Sequence, residues 1–84
     1  MERTAPAIAS ALEDFIRQRF QIREGDTAFS RGVDLWDDGY VDSTGVVEMI
    51  VFLEESFALT LPEAVLFSPE FRNIDGIARL VAAL

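Results

Sequence analysis

Ser43 carries the hydroxyl best placed for chemistry in this chain of 84 residues. It stands at the front edge of the amphipathic run Val41-Asp42-Ser43-Thr44-Gly45-Val46-Val47-Glu48, directly after a long acidic loop. The chain has no His and no Cys, so it lacks both a side chain that ordinarily titrates near pH 7 and a thiol nucleophile. No base lies near Ser43 in sequence, which makes it a serine that receives a group from a second enzyme. Its ordinary reading is a helix cap. Yet a hydroxyl at a helix N-terminus also lies where an incoming phosphodiester meets unpaired N–H groups and the positive end of the dipole.

The carboxylate-rich segment Asp34-Leu35-Trp36-Asp37-Asp38-Gly39-Tyr40-Val41-Asp42 invites comparison with a calcium loop. With Gly39 in the sixth position, Asp34 falls first, Trp36 third and Gly45 twelfth. An indole and a glycine then stand where oxygen ligands are required, which argues against an EF-hand. The crowding of Asp34, Asp37, Asp38 and Asp42 predicts that salt or a divalent cation stabilises the fold.

The positioning elements must come from one small domain spanning residues 1–84. A domain of this size buries only about 60% of the surface of its unfolded chain, which leaves a thin core and no deep cleft. No catalytic activity of its own is expected. The net charge of −8, from 15 acidic against 7 basic residues, disfavours nucleic acid and anionic lipid and favours basic protein partners. Half the residues are apolar and 11% aromatic, far above a disordered composition. Absence of cysteine fits a reducing cytoplasm. The first seven residues lack the form of a signal peptide, and no run reaches the roughly 18 apolar residues of a membrane span.

Ile8, Leu12, Phe15, Ile16 and Phe20 trace one face of a helix from about Pro6 to Arg19, capped by Thr4; Ser10, despite a capping-box spacing to Glu13, is interior. From Gln21 to Asp42 no period holds, and Phe29, Val33, Leu35, Trp36, Tyr40 and Val41 are expected to anchor this loop over the helix ends. Asp42 or Ser43 caps a second helix to about Ser56, with Val47, Ile50, Leu53 or Glu54, and Phe57 on its inner face. Ala58 to Pro62 reads as extended chain. Ser68-Pro69-Glu70-Phe71 predicts a one-turn helix, and Ile74, Ile77, Ala78, Val81 and Leu84 a last one weakened by Gly76.

Asp42-Ser43, Val47-Glu48, Phe57 and Leu59-Thr60-Leu61-Pro62 together resemble the acyl carrier protein family over nearly the whole chain. The resemblance implies an all-α, small four-helix bundle with three main helices, one short helix and a long first loop. It also implies 4'-phosphopantetheine carried on Ser43, with Asp42 as the flanking motif residue, after attachment by a magnesium-dependent phosphopantetheinyl transferase. The prosthetic arm would supply the missing thiol and carry cargo as a thioester. Thr44 stands where fatty-acid carriers usually have leucine, whereas Gly45 two places after Ser43, with Val47-Glu48 following, and the acidic-aromatic-Gly approach Asp34 to Val41 resemble D-alanyl and aminoacyl carriers. An amino-acid ligase would then load the arm and a downstream acceptor enzyme unload it.

Thr44, Glu48, Val51 and Glu55 share the outer face of the second helix and form the expected partner ridge. Val46, Met49 and Phe52 either lie under the loop or form an apolar patch. The alternatives are a fatty-acyl or polyketide carrier and, in another class, a small acidic noncovalent adaptor. The protein is expected to be a monomer.

Overall fold

The computed structural model describes residues 2–84. Four helices follow one another, α1 Ala5–Arg19, α2 Ser43–Phe57, α3 Glu63–Leu66 and α4 Ile74–Ala82, and no strand occurs among the described residues.

Thr4 caps α1 by accepting from the Ala7 N–H at 3.3 Å, and the early Pro6 fits because first-turn N–H groups need no intrahelical partner. Ile8, Leu12 and Ile16 are fully buried and face α4 chiefly. From α4 they meet Ile74, Ile77, Ala78 and Val81, also buried. Leu84, expected to continue that stripe, lies beyond the helix end and is 47% exposed. Asn73 starts α4 by accepting from the Gly76 N–H at 2.6 Å. Gly76 is there for space, because any Cβ would collide with the Glu70 carbonyl.

The residue 21–42 connection is anchored as expected: Phe29, Leu35 and Val41 are buried, while Val33, Trp36 and Tyr40 pack partly against the core. Its backbone ties it to the start of α4. Leu35 N–H donates to Arg72 O at 2.8 Å, and Asp75 N–H to Arg31 O at 3.1 Å. Arg72 reaches Asp34 at 2.6 Å and Asp37 at 3.0 Å, so two of the four clustered carboxylates share a cation and do not stand as bare like charge. No group of residues that could hold a metal ion occurs among those described.

Two features of the second half depart from the sequence reading. The inner face of α2 is Gly45, Met49, Leu53 and Phe57, all buried, with Val46 and Ile50 beside it; Val47 is 61% exposed. Four-residue steps from Gly45 fix this register, because Gly45 must face Phe20. The short helix is Glu63–Leu66, and Ser68–Arg72 forms turns. Pro62 ends the extended segment but also opens α3, with φ −73° and ψ 158° at the N-cap, a backbone that proline adopts without cost. The Ser68 hydroxyl accepts from Glu70 N–H at 3.2 Å, a local bond that competes with helix. Phe71 N–H bonds Ser68 O at 3.0 Å, closing the turn that brings Arg72 to Leu35.

Candidate functional site

Asp42, not Ser43, caps α2. Its carboxylate accepts from Gly45 N–H at 2.7 Å and its carbonyl accepts from Val46 N–H at 2.9 Å. Capping by the aspartate leaves Ser43, the first helical residue and exposed to solvent, free of that structural task. Ser43 and Thr44 belong to the first turn, whose leading N–H groups have no acceptor within the helix. They lie at the positive end of a helix of 15 residues, where partial charge favours an anion.

Gly45 sets this turn against α1. A Cβ there would stand 2.5 Å from both Cε1 and Cζ of Phe20 and 3.0 Å from Cγ1 of Val41. The end of α1 and the end of the loop therefore close on the first turn of α2 from behind, and the serine is pushed outward. The glycine that suggested an amino-acid cargo thus has a packing cause of its own.

Arg19, in the last turn of α1, crosses to Glu48 with Nη2 at 2.8 Å from Oε1. The hydrogen bond and charge of Glu48, and more weakly the charge of Asp42, hold the guanidinium more firmly protonated than usual. The pair ties the end of α1 to the second turn of α2. An exposed serine with free first-turn N–H groups fits a phosphodiester such as the one that would join phosphopantetheine to the chain.

The expected partner ridge is gathered in part. Thr44, Val51 and Glu55 are exposed, whereas Glu48 is half-buried and occupied by Arg19. Val47 joins the outer face, making it more apolar than the sequence suggests. Met49 is fully buried, and Phe52 stacks on Phe15 with ring centroids 4.4 Å apart. The apolar patch left over from these residues is made by Val46 and Ile50.

These two, with Trp36, Leu66, Phe67 and Phe71, line a groove of about 400 Å³ between α2 and α3. Trp36 is a loop anchor, donating from its indole N–H to Phe71 O at 2.9 Å, and it also walls the groove. Phe67 is 82% exposed. Sequence reading missed it because it belongs to no periodic stripe once the short helix is placed one turn too late. The lone signal was a large aromatic between Leu66 and Ser68 with no partner spacing.

Comparison with family models, with curated proteins and with solved structures found no match to this chain. No helix among the described residues is long and apolar enough to cross a membrane.

Proposed function

We propose that this protein is a non-catalytic carrier, in which Ser43 bears 4'-phosphopantetheine and an activated group, preferably an amino acid, travels on the arm as a thioester. The observation that carries the reading is the division of labour at the start of α2: Asp42 caps, and Ser43 is exposed beside it. When bound, the arm supplies the thiol that the sequence lacks. The chain's own residues present the hydroxyl and offer first-turn N–H groups to the phosphodiester. A transferase, a loading ligase and an acceptor enzyme are the partners this reading requires.

Intact mass after incubation with a broad-specificity phosphopantetheinyl transferase, coenzyme A and magnesium tests it. A gain of one phosphopantetheine on the native chain and none on Ser43→Ala supports carriage. No gain on the folded chain, with a known carrier modified in parallel, removes it. Loading assays on the modified form separate amino-acid from fatty-acyl or polyketide cargo. A noncovalent adaptor is the second reading, favoured by the exposed Phe67 beside an open apolar groove.

A further inference from the structure

The two residues that close α1 both grip the start of α2, and they touch each other. Phe20 lays its ring against Gly45 in the first turn, so close that a Cβ there would stand 2.5 Å from Cε1 and Cζ. Arg19 takes both carboxylate oxygens of Glu48 in the second turn, Nη2 donating to Oε1 at 2.8 Å and Nε to Oε2. Its guanidinium carbon also lies 5.3 Å from the centroid of the Phe20 ring, within range of a cation–π contact. We infer, on the carrier reading, that Arg19 and Phe20 are a positioning clamp for Ser43, holding the first two turns of α2 so that the hydroxyl meets the modifying enzyme in one geometry.

The backbone fixes where the clamp stands. Phe20 N–H donates to Ile16 O and Ile22 N–H to Arg17 O, both at 3.0 Å, which closes α1 through a left-handed residue. That residue is Gln21, with φ 54°, in a conformation that glycine ordinarily fills. A residue with a side chain persists there only when its surroundings over-determine it. The end of α1 is therefore a fixed point, and the two side chains that leave it reach α2 from a rigid base.

The chemistry of the two contacts suits direction more than bulk stability. A two-pronged guanidinium–carboxylate pair sets angle as well as distance. Arg19 is exposed and Glu48 half-buried, and an ion pair so open to water adds little to the stability of the whole fold. The Phe20 ring covers one side of Gly45, two residues from Ser43, and Val41 closes on the same glycine from the loop. A helix start held from two sides offers its hydroxyl in a narrow range of positions, and transfer to a hydroxyl is fast only where the reacting atoms meet in line.

Steady-state rates of phosphopantetheine transfer, measured well below each melting temperature, test the clamp. Phe20→Ala and Arg19→Met are each expected to lower kcat about tenfold with KM for the chain near the native value. Phe20→Leu, which keeps an apolar side chain against Gly45, should retain most of the rate. The double variant Arg19→Met with Phe20→Ala should lose little more than either single one, because contacting residues that act together are not additive. Arg19 is exposed, so Arg19→Met is expected to fold, and it decides alone if Phe20→Ala does not. The unmodified chain gives a second readout. The Gly45 and Val46 N–H groups, bonded to the Asp42 carboxylate and carbonyl, should exchange with solvent about tenfold faster in Arg19→Met, while the Ile77 N–H in α4 keeps its native rate.

Native kcat in the folded variants, a loss confined to KM, or unchanged exchange at Gly45 and Val46 would each overturn the clamp. Failure of the native chain itself to accept phosphopantetheine would remove the carrier reading and this role with it, a result distinct from a modified native chain with unaffected variants.

Discussion

Gly76 lies against the backbone carbonyl of Glu70 so closely that a single added methyl group would overlap it. The contact locks the turn before α4 onto the first turn of that helix, and with it Arg72, whose carbonyl holds the Leu35 N–H. Alanine at an exposed helix site would gain roughly 1 kcal/mol over glycine. Here the overlap is with backbone, which cannot swing aside, so Gly76→Ala is expected to be destabilising by about 1–3 kcal/mol. Thermal unfolding checks the sign; a stabilised variant would show that the turn yields.

Ala58 ends α2 in the left-handed region with φ 53° and ψ 52°. Its N–H closes on Glu54 O, and Arg3 satisfies Phe57 O at 2.8 Å and Ala58 O at 2.7 Å. A left-handed alanine is strained by roughly 1 kcal/mol, and glycine is not. Ala58→Gly should therefore raise stability by about 0.5–1 kcal/mol after the entropy of the freer unfolded chain is deducted. Denaturant midpoints at unchanged slope measure it.

On the proposed carrier reading, Asp42 and Ser43 separate stability from carriage. Asp42→Ala removes the side-chain acceptor of Gly45 N–H and is expected to lose about 1 kcal/mol. Ser43→Ala should unfold within about 0.5 kcal/mol of the native chain while accepting no phosphopantetheine. A large stability loss in Ser43→Ala would return the capping role to the serine.

The register of α2 is open to a paired test. Val47→Asp changes an exposed site and should stay within about 0.5 kcal/mol of the parent. Met49→Ala empties a fully buried position and should lose about 2–5 kcal/mol. The reverse order would restore the inner face that simple helical spacing suggests.

Acid should loosen the loop. The N–H groups of Asp37 and Trp36 and the Arg72 guanidinium hold the Asp34 carboxyl below its ordinary range. Hydrogen bonds from Arg31 and Arg17 do the same for Glu13. A carboxylate whose folded pKa is lowered contributes stability fully above its unfolded value, and that contribution is lost as pH falls through the folded one. Stability should therefore drop below the usual carboxylate range near pH 4. Arg72→Met should reduce the Asp34 share in part, because the Asp37 N–H remains its main support, read as a somewhat shallower decline of melting temperature with acid.

The same bonds revise the expectation for ions. Because Arg72 divides itself between Asp34 and Asp37, and Asp42 is committed to its cap, the four aspartates do not gather into a cation site. Salt should raise the melting temperature by screening the net negative charge. Magnesium or calcium at matched ionic strength should add nothing further.

The sequence by itself determined the helices that bury wide stripes. Ile8, Leu12 and Ile16 in α1 and Ile74, Ile77 and Val81 in α4 repeat with the helical period, and hydrophobic burial lets that period be read without coordinates. It also located Ser43 at the head of α2, because Asp42 and Ser43 are the residue types that start helices. The loop anchors were legible because a solvated linker would not carry Phe29, Leu35 and Trp36.

Only tertiary structure decided what depends on another segment's position. α2 is apolar on more than one side, so its period could not choose between Val47 and Met49; the Phe20 ring against Gly45 made the choice. Glu48 looked free until α1 brought Arg19 to it, across a separation of 29 residues. Glycine read as a helix weakener at Gly45 and Gly76 proved to be the one residue small enough for a close approach, a property of two surfaces. Phe67 and its groove were invisible for the same reason: the walls come from the loop, α2, α3 and the following turn, and no local pattern records where such segments meet.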